Sequence, residues 1–315
     1  MSTTRPAGTS PDSPALARSA DGPLTRRLVD DAAVFPPGNA PLPQAVEQHR
    51  AHRSSWYAPA VGPLLVRLSD APGLHELLVR GEGLAVGLVC PPDASAGDVA
   101  RAVDLVQQDD RAVVTALEQL VGDRARAQGL SGVARGAAAV AWCEVPAGST
   151  ADGSVGRRLD DVTAAGGRAK YRTGGVLPQA FPDERQVARF LLGCVERRLP
   201  FKLTAGLHHA VRHTAVGAGD GGEDLEQHGV ANVMTAVAAG LDGAPEADVA
   251  ALLRDRDPAR VAARLAALDD EVVCRVRELF VSFGCCGVTD PLTDLVTLGL
   301  LRRGDLDRPT AKETS

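Results

Sequence analysis

Two lysines stand where an apolar strand would be expected to carry carbon. In GRAKYRTGG, Gly167 to Gly175, Lys170 follows an apolar residue in a short strand-like run and precedes Arg172, Thr173 and a glycine pair. In PFKLTAGLHH, Lys202 opens a second such run, with Thr204 on the same side. Side chains alternate along a strand, so Lys170 and Arg172 share one face while Tyr171 and Thr173 share the other. An inward lysine is costly unless it is paired or its pKa falls far enough to leave it neutral. Neighbouring cations lower a lysine, and the neutral amine is the form that attacks a carbonyl carbon. Lys170, with Arg172 and Lys202 nearby, therefore predicts an amine nucleophile.

Other groups fall near these two. Glu144 ends the run AAVAWCEV and is placed to orient Lys170, to act as a general base, or simply to neutralise Lys170 or Arg172. His208, His209 and His213 cluster just after the second lysine run. Adjacent histidines on an extended backbone point in opposite directions, which disfavours a shared ion and favours one imidazole facing a substrate. No metal site and no cofactor are expected. Asn232 near a helix start reads as local capping, and Cys285 and Cys286 lack the histidine partner that would mark a nucleophile. His228, Asp30, Asp31, Arg67, Asp70, Cys90, Glu118 and Ser282 complete the polar residues at or near the ends of apolar runs.

The elements that must position them alternate. Short apolar runs at 25–32, 63–69, 84–90, 112–117, 138–145, 167–173, 200–207 and 279–285 are each followed by a helix-like segment. Eight strand-then-helix units predict a (β/α)8 barrel as a single domain over 24–303, with 245–278 as extra helix inserted before the eighth strand. The alternative, an open doubly wound sheet, would usually carry a glycine fingerprint in its first turn, and DDAAVFPPGNAP has none. In such a barrel the chemistry sits at the C-terminal ends of the strands. Lys170, Lys202 and Glu144 then fall on three consecutive strands.

Composition narrows the partners. The 315 residues are 44% hydrophobic and 23% charged, with aromatics at only 3% and a formal net charge of −6. No block of clustered Lys and Arg offers a nucleic-acid footprint, so a small-molecule substrate is expected. No apolar run reaches the roughly 18 residues that a membrane helix needs. Cys90, Cys143, Cys194, Cys274, Cys285 and Cys286 form no CxxC pair and mostly sit in apolar runs, predicting reduced, buried thiols and a cytoplasmic protein. Residues 1–23 and 304–315 have the composition of flexible tails. A homo-oligomer is left open.

The stretch KYRTGG, then a helix, then PFKLTAGLHHAVR resembles the paired-lysine region of the deoxyribose-phosphate aldolases, class I aldolases with a TIM barrel. The family carries K-x-x-T-G on strand six and F-K-x-x-G-G-(I/V)-R on strand seven. The resemblance implies that Lys170 forms the Schiff base and that Lys202 perturbs it and assists proton transfer. It aligns Thr173 and Gly174 with the T-G pair, and Arg212 with the arginine across a four-residue insertion. It is confined to residues 167–212. The family's strand-four aspartate has no clear counterpart in AVVTALEQL, where Glu118 falls after the expected strand. LHHAV replaces a glycine pair that helps hold phosphate, and SFGCCG stands where a Gly-x-Ser turn is expected, so a phosphorylated substrate is not implied.

These readings predict a lyase of the aldolase type, with Lys170, Lys202 and Glu144 catalytic and Arg172, Thr173, Thr204, His208, His209 and Arg212 contacting a small carbonyl substrate. The alternative is an anion-binding barrel in which Lys170, Arg172, Lys202 and Arg212 clamp a carboxylate or phosphate without covalent chemistry.

Overall fold

The computed structural model describes residues 17–175, 177–219 and 221–304. In chain order the strands are β1 (Val29–Asp31), β2 (Val61–Arg67), β3 (Leu84–Cys90), β4 (Ala112–Leu120), β5 (Val140–Glu144), β6 (Arg168–Arg172) and β7 (Phe201–Thr204). A hairpin of β8 (His213–Ala215) and β9 (Leu225–Gln227) follows, and β10 (Phe280–Cys285) ends the set. All except the hairpin close into one parallel ring, β1–β10–β7–β6–β5–β4–β3–β2 and back to β1. The chain is a (β/α)8 TIM barrel.

The helices are those the apolar spacing demands, among them α1 (Leu42–Arg53), α2 (Ala71–Leu77), α4 (Arg124–Gly136) and α5 (Val155–Ala165). After β3, helix α3 (Ala96–Val106) buries Val99, Val103 and Val106 on one stripe, and Ser95 and Asp98 close a reciprocal capping box at its start. After β6, α6 (Glu184–Arg197) buries Val187, Leu191 and Cys194, and Asp183 with Gln186 caps it in the same way. After β7, α7 (Val230–Leu241) is apolar almost all round. Such a helix needs cover on its outer side as well. The inserted helices α8 (Glu246–Arg254), α9 (Pro258–Ala266) and α10 (Asp270–Leu279) supply it, packing on α7 before the chain enters β10.

The few aromatic side chains concentrate behind the strands that carry the lysines. Tyr171 of β6 stacks on Phe190 of α6 at 4.7 Å, Phe190 meets Phe201 of β7 edge-on at 5.5 Å, and Phe201 stacks on Phe280 of β10 at 5.5 Å. These outward faces are anchored in the barrel-to-helix layer. The inward faces of the same strands are thereby fixed in direction.

Several boundaries differ from the sequence expectation. The first strand begins at Val29, because Thr25–Leu28 forms a turn closed by the Leu28 N–H donating to Thr25 O at 3.0 Å. The fourth runs on to Leu120, and its helix starts only at Arg124. The seventh stops at Thr204, where Ala205 and Gly206 turn left-handed with φ of 63° and 74°. Residues 1–16 and 305–315, the outer parts of the expected tails, lie outside the described residues. Residues 17–23 are held in place. The Arg18 N–H donates to Leu300 O at 3.2 Å, the Arg302 N–H donates to Arg18 O at 2.7 Å, and the Arg18 guanidinium binds Leu268 O. Of the cysteines expected to be buried, Cys274 is exposed on α10 and Cys286 is half-buried. Among the described residues no helix is long and apolar enough to cross a membrane.

Candidate active site

Parallel register brings the expected groups together. Lys170 on β6 is the direct partner of Glu144 on β5 and of Lys202 on β7, and Lys202 is in turn the partner of Ser282 on β10. All four side chains point into the barrel. Lys170 and Lys202 are almost fully excluded from solvent, at 2% and 0% exposure. The alternation predicted for β6 holds: Arg168, Lys170 and Arg172 line the interior while Tyr171 faces α6.

The charges are matched. Lys170 Nζ lies 2.8 Å from Glu118 Oε2 and 2.8 Å from Glu144 Oε2. Lys202 Nζ lies 2.5 Å from Asp30 Oδ2 and also binds Glu118 Oε1. Ser282 Oγ donates to Asp30 Oδ2 at 2.8 Å, and the face of Trp142 lies beneath Lys202 Nζ at 5.8 Å. Arg172 Nε reaches Glu144 Oε1 at 3.3 Å from the solvent side. Three cations thus meet three carboxylates in one contiguous network.

Local sequence explains how the network is accommodated. On β1, Asp30 turns inward while Asp31 turns outward and pairs with buried His49, Oδ2 to Nδ1 2.9 Å. A Cβ at Gly62 of β2 would lie 2.0 Å from Asp30 Oδ1, so the missing side chain at Gly62 is what leaves room for the carboxylate. Glu118 is an inward residue of β4, aligned with Trp142 of β5.

Glu118 therefore corrects the expectation that it falls after the fourth strand. It lies within the strand, fully buried, between the two lysines. The continuation of the apolar run AVVTAL into EQL was the available signal. A second correction concerns charge. Burial by itself lowers a lysine, but Glu118 and Glu144 outweigh it and hold Lys170 well above its ordinary value, and Asp30 and Glu118 raise Lys202 against burial. Lys170 is thus held as an ammonium in the resting state, not as the neutral amine that neighbouring cations alone would give. Burial would likewise raise Glu118, yet the two ammonium groups hold its carboxyl down at about 2. Glu144 is lowered against burial by Lys170 and Arg172. Asp30 is the exception: burial raises it in spite of Lys202. The three acids are therefore not equivalent, and Asp30 is the one closest to protonation.

The remaining expected residues divide. Arg172, Thr204, His208 and His209 line the mouth, and His208 and His209 are oriented by Asp290 and Asp294, at 3.5 and 2.9 Å. Thr173 does not face the site. It is buried, and its Oγ1 donates to Ala205 O at 2.6 Å, tying the exit of β6 to that of β7. Arg212 lies elsewhere too. Its guanidinium is buried against Glu184 at 2.8 Å, Glu226 at 3.2 Å and His228 at 3.2 Å, which anchors the β8–β9 hairpin to α6. Insertion of the hairpin after β7 carries Arg212 out of the mouth. Asn232 is a local brace, its Oδ1 accepting from the Arg212 N–H at 2.9 Å. With Arg212 elsewhere and both ammonium groups already paired with carboxylates, the clamp of four cations on an anion is not formed.

Two clefts open above the network. One, of about 820 Å³, lies over β2–β5, and the other, of about 700 Å³, lies over β6, β7, β10 and β1. Both are lined by Phe35, Val89, Glu118, Lys170 and Arg172, so they are lobes of one mouth that meet over Lys170.

No protein-family model matches the chain, and no curated protein matches it. Among solved structures, octameric ribulose-1,5-bisphosphate carboxylase/oxygenase (Rubisco) from Pyrococcus horikoshii OT3 is similar over 81% of this chain at 12% identity and a TM-score of 0.38. The matched region spans 63% of the length of that protein. A likeness of that strength bears on neither site nor activity, and the barrel assignment rests on strand pairing alone.

Proposed function

We propose that the chain is an enzyme, a lyase of the class I aldolase type, which forms a Schiff base between Lys170 and a small unphosphorylated carbonyl compound. The observation that carries this reading is the placement of Lys170 at the meeting point of two clefts, with Lys202 beside it and three carboxylates in contact with the pair.

Lys170 must first lose its proton, and Glu144, the least buried of its two acid partners, is the group placed to take it towards solvent. The freed amine attacks the carbonyl carbon, and the carbonyl oxygen leaves as water after accepting protons, giving an iminium. In the cleavage direction the bond between the α and β carbons breaks. Its electron pair passes into the iminium to form an enamine, the β-hydroxyl proton passes to a base, and the second fragment leaves as a carbonyl compound. Protonation of the enamine and addition of water then return Lys170 and the first product. Lys202, bridging Asp30 and Glu118, supplies the proton path.

Borohydride reduction in the presence of pooled carbonyl metabolites, followed by peptide mass spectrometry, tests the reading. The expected result is a stable adduct on Lys170, lost in Lys170→Ala and in Lys170→Arg, since arginine keeps the charge but forms no such imine. Absence of any Lys170 adduct, or full turnover by Lys170→Ala, overturns it.

A further inference from the structure

The two lobes that meet over Lys170 differ in chemistry. The larger one is walled by Leu68, Pro72, Pro91, Pro92, Ala102 and Leu105. Proline has no N–H to donate, so three of these positions present carbon without a backbone donor. Most polar groups at this lobe already have partners. Arg67 binds Val34 O and Asp70 and lies over the Phe35 ring at 5.1 Å, Arg101 pairs with Asp98, and Arg172 pairs with Glu144. Gln119 donates its amide to Pro91 O and Ala94 O at 2.9 and 3.0 Å. The donors left over, the Ser69 hydroxyl and the remaining N–H groups of Arg101 and Arg172, belong to exposed residues at the rim, outside the apolar wall. The smaller lobe, in contrast, presents Thr204, His208, His209, His213 and Gln227.

We infer that the larger lobe receives an apolar, uncharged fragment of the carbonyl substrate, an aryl or branched alkyl group, and that the hydroxylated fragment occupies the smaller lobe. The volume of about 820 Å³ is within the range of sites that enclose a small organic molecule. This inference rests on the lyase reading only in placing the join between the two fragments at Lys170.

Binding of 4-phenyl-2-butanol, which has no carbonyl group and cannot form an imine, separates the two. Titration calorimetry is expected to show binding to the wild type, because an apolar contact does not need an imine. Ala102→Trp fills the lobe and Leu105→Asp places a charge in it. Each is expected to weaken binding at least about tenfold, and Leu105, being partly exposed on α3, tolerates the change without unfolding, as a circular dichroism melt will show. Equal affinity of the wild type and both variants, or tighter binding of glycerol 3-phosphate, which also has no carbonyl group, than of the phenyl probe, overturns the inference. Probe binding without any borohydride adduct would defeat the lyase reading and leave the lobe assignment standing. Adducts with glyceraldehyde alone, with no affinity for the phenyl probe, would do the reverse.

Discussion

Lys170 and Lys202 are register partners on adjacent strands, and a single carboxylate, Glu118, binds the ammonium groups of both. Two like charges side by side in a buried interior are tolerable only with counter-charge between them. Glu118→Gln removes it while keeping the shape. The expected cost is about 3–5 kcal/mol of unfolding free energy, the range for breaking a buried pair from one side, read by urea denaturation. A loss under about 1 kcal/mol would show that the lysines do not depend on Glu118.

The acid side of the stability profile follows from the same residue. Glu118 is held at about 2, below the ordinary carboxyl value of 4.5. A carboxyl lowered by folding contributes stability that is complete above its unfolded pKa and is lost as the pH falls through the folded one. The Tm gap between the wild type and Glu118→Gln should therefore be full at pH 7 and shrink as the pH drops from about 4.5 towards 2. An equal gap at pH 7 and pH 3 would contradict the assignment.

Lys170 titrates in the opposite sense. Its folded pKa is raised, so its charged form contributes stability below the ordinary lysine value, and that contribution is lost only on the alkaline side. The reactive free amine is correspondingly scarce at neutral pH. Adduct formation with a fixed carbonyl probe should accelerate by up to about tenfold per pH unit between pH 7 and pH 9, the rise in neutral amine far below a pKa. A rate that is flat across that window would mean that Lys170 passes its proton within the network, not to solvent.

Gly62 offers a test remote from the lysines in sequence. Alanine there would place carbon against Asp30 Oδ1, so Asp30 must move from Lys202 and Ser282. Gly62→Ala is expected to cost about 1–3 kcal/mol, the usual range for overpacking a closed core, and to slow trapping at Lys170. Urea denaturation and the borohydride assay read the two effects. Unchanged stability and unchanged trapping would show that the site tolerates displacement of Asp30.

The apolar runs and amphipathic stripes made the barrel legible, because period and punctuation are local properties. The inward direction of Lys170, Lys202 and Glu144 was legible for the same reason, alternation along a strand. Glu118 was harder. A charge inside a strand reads as its end unless the partner lysines are already known to face it. The charge state of Lys170 is not legible in the same way, because Arg172 and Lys202 stand beside it in sequence, whereas Glu118 approaches from two strands away. Thr173 and Arg212 depend on loops whose path is set by tertiary contacts. Thr173 ties one strand exit to the next, and the β8–β9 hairpin takes Arg212 with it.

The bridge between Arg18 and Leu301 has a topological meaning. It lies outside the ring of strands, yet it places the segment leading into β1 beside the segment that follows α11 (Thr289–Thr297). The path of the chain is thus nearly circular. A sequence joined across that bridge by a few residues and reopened at another surface loop would keep every strand neighbour, so the fold dictates a cyclic order of units without requiring that β1 be synthesised first.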